Sequence, residues 1–243
     1  MNIWNIFHAQ STIIPYVDER VELMSSIFRM MGAEEYSDKN NSLYVEDIEK
    51  QFGNYKNSDF LKNLKKDRYD DGLGYDAVMS MAVNLEIKNG NISLIDPKRS
   101  SLDKRWKSEK LPEFMKNLNL YYKQTNFNAF FKAHEKDYHQ AAIAFSDSVL
   151  VKFNQEWYPK FYGKQPNEDY KVVIGYGNGG GNYGPRVHGK DRDAVYAIVS
   201  GGDFNGRKLT YTSAYAPTLR HELNHSFVNY ILETNNYKNE LKS

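Results

Sequence analysis

Between Lys171 and Ser200 the chain reads KVVIGYGNGGGNYGPRVHGKDRDAVYAIVS. Two compact runs within it, Lys171 to Tyr176 and Ala194 to Ser200, are β-branched and aromatic and have the length of strands. The glycine-rich Gly175 to Gly184 separates them, so a sheet is expected to begin here. A second turn-rich stretch, Gly201 to Gly206, precedes one more candidate strand, Lys208 to Ser213.

Upstream the pattern is different. From Val17 to about Leu150 apolar residues recur at spacings of three and four, the period of a helix. Val21, Leu23, Met24, Ile27, Phe28 and Met31 give the first helix a wide apolar face, and Gly32 is its expected stop. Further helices are expected at about 43–53, 58–66, 75–87, 112–125 and 127–151, with Ile92 to Ile95 as a brief strand. Downstream of the sheet, Pro217 opens a last helix, on which Leu219, Leu223, Phe227 and Ile231 form an apolar stripe. No repeat or flexible linker demands a domain boundary. The expectation is one α+β domain over 1–243, with a predominantly helical part at 1–158, then a small mixed sheet and the final helix at 159–243.

That helix carries HELNH, His221 to His225. Two histidines four positions apart fall on one helical face, where their nitrogens can converge on one ion, and zinc is the cofactor expected. Glu222 is then placed to take a proton from water and deliver it to a leaving amine. The reading is a zinc hydrolase, most simply a metallopeptidase, with His221 and His225 as ligands and Glu222 as the catalytic acid/base. A catalytic zinc usually takes three protein ligands. Glu240 is one candidate for the third, if the chain turns near Asn235 and Asn236, and His188 is another, as ligand or electrophile. Tyr183, Tyr196, Tyr211 and Tyr215 lie where a hydroxyl can meet an oxyanion, but 19 tyrosines in the chain leave no basis for choosing one.

Bulk numbers remove other classes. The 32 basic and 31 acidic residues nearly cancel to +1, so nucleic acid is not an expected partner. The absence of cysteine removes disulfides, thiolate zinc sites and a cysteine nucleophile. No stretch approaches the ~20 apolar residues that span a bilayer, and Met1 to Gln10 has no signal-peptide pattern.

Val17 to Tyr36, Gly74 to Ala82, Asn178 to Pro185 (NGGGNYGP) and His221 to Asn229 (HELNHSFVN) together resemble an uncharacterised bacterial family of zincin-like metallopeptidases, domain of unknown function 4932. The resemblance implies a zincin-like fold, zinc on His221 and His225, and catalysis by Glu222. It also implies a downstream helix bearing the third ligand and export from the cell. The chain is then expected to be truncated at its C-terminus, unless Glu240 substitutes, and extracytoplasmic in its full form. In such folds an edge strand binds an extended peptide or protein substrate through its main chain. Gly179, Gly180, Gly181 and Tyr183 are the residues expected to do so, against the plainer alternative that the glycines form a wide loop. Two rival functions share these residues: a binding or structural protein with a vestigial motif, and a metal amidase acting on cell-wall peptide.

Overall fold

The structure is a computed structural model that describes residues 13–37, 43–154, 160, 168–200 and 202–224. Its architecture is α+β. Helix α1 (Glu19–Met31) is the centre. Asp18 caps it by accepting the Arg20 N–H at 2.9 Å, and Gly32 ends it in the left-handed conformation (φ 83°) that glycine adopts without strain. Residues from Val21 to Met31 are all buried, because α2 (Leu43–Phe52), α3 (Asp59–Asp71), α4 (Asp76–Asn84) and α6 (Phe127–Ala133) pack around it.

The expected helix at 75–87 ends earlier, at Asn84. Arg20 Nη1 donates to the carbonyls of Val83 (3.2 Å) and Leu85 (2.9 Å), taking up acceptors that the helix end leaves open. Leu85 then begins β1 (Leu85–Lys88), which pairs antiparallel with β2 (Asn91–Leu94) through a turn at Asn89 and Gly90, both with positive φ. After α5 (Leu111–Gln124), the helix expected at 127–151 is two: α6 and α7 (Glu135–Ser148). His134 makes the break. Its ring Nδ1 engages Phe130 O at 2.8 Å and its Nε2 engages Asp47 at 3.0 Å, so the side chain serves both the end of α6 and a contact to α2.

The main sheet is mixed, in the order β3 (Asp169–Ile174), β5 (Ala194–Val199), β4 (Arg186–Val187). β3 and β5 run parallel from Asp169↔Ala194 to Ile174↔Val199, whereas β4 is antiparallel to β5. Tyr16 adds a parallel bridge to Val173 on the other side of β3, and Tyr183 extends the β4 edge by bridging Ile198. A parallel pair needs a crossover connection. Here residues 175–193 provide it, with β4 inside them, and the glycine-rich run is the part that rounds the sheet end. β5 is buried from Val195 to Val199, as an inner strand covered on both faces must be. A hairpin of β6 (Asp203–Asn205) and β7 (Lys208–Thr210) follows, the first of these strands lying inside a stretch expected to be all turn. Residues 216–224 are helical and form α8 as far as it is described.

Candidate functional site

Helix α8 begins with Ala216 and Pro217, and Leu219 and Leu223 are fully buried in the main core. That burial seats the helix and fixes which side faces outward. His221 is exposed, while Glu222, one position on, is only 6% exposed. The remaining stripe positions, Phe227 and Ile231, lie outside the described residues, as do His225 and Glu240. The hairpin that leads into α8 is anchored in three ways. Arg207 pairs with Asp47 on α2, Tyr176 Oη donates to Arg207 O, and the ring of Tyr211 meets Phe145 of α7 edge-on at 4.9 Å. Just before α8, Tyr215 Oη accepts the Gly202 N–H at 2.7 Å.

The glycine-rich crossover lies against α1 and the turn after it. A Cβ on Gly177 would stand 2.9 Å from Glu22 Oε2, and one on Gly179 would stand 2.6 Å from the backbone oxygen of Glu35. Neither space exists, and Gly179 also has φ +72°. Gly181 is held close under the Tyr183 ring, and its carbonyl accepts hydrogen bonds from Asn178 Nδ2 (3.0 Å) and from Ser200 Oγ. Gly180 is exposed. Two of the three glycines at 179–181 are therefore required by the protein's own packing, and Gly180 alone presents backbone outward. Tyr183 is buried, stacks on Tyr36 at 6.2 Å and 21°, and has its hydroxyl pushed up to about 12 by burial, which keeps it protonated.

His188 follows the β4 edge and is exposed. Its Nδ1 lies 3.0 Å from Asp193 Oδ2, leaving Nε2 as the ring atom able to meet a ligand. Partial burial works to raise the Asp193 carboxyl, but hydrogen bonds from Arg186 (2.9 Å) and His188 outweigh it and hold Asp193 below its ordinary value. A carboxylate behind one ring nitrogen is the arrangement that orients metal-binding histidines. The backbone N–H of His188 donates to Ser101 Oγ at 2.6 Å. Among the described residues no three His, Asp or Glu side chains group to hold a metal ion. The expected ligand pair straddles the last described residue, so that grouping does not address it.

Two clusters were not anticipated. In the first, Glu22 of α1 is buried against Tyr44, Tyr138 and the backbone of Tyr176 and Gly177. Its signal in the sequence is a lone carboxylate inside the largely apolar run VELMSSIFRMM. In the second, Glu35 and Tyr36 hold Tyr75 from both sides. Glu35 Oε1 accepts the Tyr75 N–H at 3.1 Å, and the Tyr36 hydroxyl donates to Tyr75 O at 2.8 Å. Through these contacts and the packing of Gly179 and Tyr183 on Glu35 and Tyr36, the stretches Val17–Tyr36, Gly74–Ala82 and Asn178–Pro185 meet in space. They are three of the four that carry the family resemblance.

No curated protein and no solved structure gives a match to this chain. A family profile does, over residues 11–242, which is nearly the whole sequence. The chain therefore belongs to the family described as Domain of unknown function (DUF4932).

Proposed function

We propose that this protein is a zinc-dependent hydrolase of the peptidase kind, with His221 and His225 as ligands and Glu222 as the proton-transfer residue. The observation that carries the reading is the HELNH stretch entering a real helix. Residues 216–224 are helical, Leu219 and Leu223 face the core, and His221 faces outward. On a helix continued by one position, His225 falls on the His221 face.

The donor set suits zinc, since imidazole nitrogen and carboxylate oxygen are its preferred ligands where no thiolate is available. When bound, zinc acidifies a water and polarises a carbonyl. Glu222 receives the proton from the attacking water and returns it to the amine that leaves. His188, oriented by Asp193, is the described residue best prepared to act as a further ligand or as an electrophile. Extended substrate is assigned to the outward backbone at Gly180, because both main-chain groups of Tyr183 are paired with Ile198 and the amide of His188 is occupied by Ser101.

The test uses the full chain. Metal analysis is expected to find about one zinc per molecule, and a peptide library is expected to be cut. Glu222→Gln should keep the zinc and lose at least about a hundredfold in cleavage rate. Cleavage unchanged in that variant would sink the assigned role, and a chain that neither binds zinc nor cuts peptide has a vestigial motif.

A further inference from the structure

Groups from three separate segments enclose one carboxyl that has no access to water. Glu22 is 1% exposed. Its Oε1 accepts the Tyr176 N–H at 2.8 Å and the Gly177 N–H at 3.2 Å. Its Oε2 accepts the same Gly177 N–H at 3.0 Å and the Tyr44 hydroxyl at 2.8 Å. Tyr44 Oη meets Tyr138 Oη at 2.7 Å, and either can donate. The absence of a side chain on Gly177 is what lets its backbone come this close to Glu22.

We propose that Glu22, Tyr44 and Tyr138 form a proton-operated latch on the Tyr176–Gly177 backbone, closed while the carboxyl is neutral and biased toward release once it ionises. The same heavy-atom positions admit both states, the ionised one with each hydroxyl donating within the cluster and the neutral one with the Tyr138 proton turned out of it. When Glu22 is ionised, Tyr138 donates to Tyr44 and Tyr44 donates to Glu22. When Glu22 is neutral, its hydroxyl on Oε2 donates to Tyr44, Tyr44 donates to Tyr138, and Oε1 keeps both amides. The chain of hydroxyls reverses direction without any side chain moving.

The ionised state is the costly one. The groups facing Glu22 are Arg29 of α1, Tyr44 of α2, Tyr138 of α7, Tyr176 after β3 and Tyr211 after β7. Burial raises all four tyrosine hydroxyls, so they stay neutral, and Arg29 is the cation among them. Desolvation pushes Glu22 up to about 7, against the partial opposition of Tyr44, the two amides and Arg29. A closed latch therefore holds a proton that an open, hydrated carboxyl gives up. Its contribution to stability is present at low pH and is lost as pH rises through about 7. What it fastens is the start of the crossover that carries Gly179 to Tyr183. None of this requires zinc.

The experiment is amide hydrogen exchange of residues 175–181 in the full chain, corrected for the intrinsic rate. With the open carboxyl at its ordinary value, the opening equilibrium should be about tenfold larger at about pH 8 than at about pH 6. Glu22→Gln should abolish that dependence. Should Glu22→Gln fail to fold, Tyr44→Phe removes only the hydroxyl that favours the charge, and the midpoint should move upward. Protection that does not change over this range overturns the proposal, as does a dependence that survives Glu22→Gln or a midpoint unmoved by Tyr44→Phe.

Discussion

The Glu35 carboxylate grips the Arg68 guanidinium with two parallel hydrogen bonds, Nη1 to Oε1 at 2.6 Å and Nη2 to Oε2 at 2.7 Å, and together they clasp the turn that carries Gly74 and Tyr75. Arg68 Nη1 also donates to Leu73 O at 2.8 Å, and Glu35 accepts the Tyr75 N–H. The Glu35 side chain is only 5% exposed. Removing one member of a buried pair strands the other, at a cost of about 3 kcal/mol. Glu35→Ala should lose about that much in urea denaturation. A loss below about 1 kcal/mol would place this pair with ordinary surface ion pairs.

Tyr75 is 58% exposed and sits at φ 51° and ψ −123°, backbone angles that suit glycine. Such strain costs roughly 1–3 kcal/mol. Tyr75→Gly should therefore be more stable than Tyr75→Ala by about 1 kcal/mol, although glycine is the more flexible residue when unfolded. Equal stability of the two variants would mean that the turn relaxes at no cost.

Gly179 and Gly53 form a matched pair of substitutions. An added Cβ meets nothing within 4 Å at Gly53, but at Gly179 it strikes the Glu35 carbonyl oxygen and the backbone must also hold φ +72°. Gly179→Ala should cost about 2 kcal/mol or more, and Gly53→Ala should be close to neutral. Comparable thermal shifts in both would show that the crossover is not packed on Glu35.

Acid should release the hairpin that leads into α8. The hydrogen bond from Arg207 holds the Asp47 carboxyl below its ordinary 3.8, opposed by desolvation and aided by His134. A depressed carboxylate stabilises the fold above its unfolded value, and that contribution fades as pH falls below about 3.8. Arg207→Ala should be less stable than the parent at about pH 5, and the gap should close toward about pH 2. A constant gap over that range, followed by circular dichroism, would remove Asp47 from the account.

Local periodicity was enough to place α1, α2, α3 and α5, the runs that became β3, β5 and β7, and the helical setting of His221 and Glu222. Where it failed, a distant partner had intervened. The helix expected to reach residue 87 stops at Asn84 because Arg20 takes the carbonyls there, and the helix expected over 127–151 breaks where His134 turns to Asp47. The strand at β4 was hidden because two residues that pair only with β5 carry no pattern of their own.

By itself, then, the sequence determined the α+β order, the absence of cysteine and the HELNH spacing, since each depends on residue type and on spacings within a few turns of helix. Tertiary structure alone decided the use of the glycine-rich run and the identity of its partner. Glu22 and Tyr176 are 154 positions apart, and nothing local in either segment shows that one carboxyl receives the other's amide. Close approach and enclosure are properties of packing, and they set both the need for glycine at 177 and 179 and the proton affinity of Glu22.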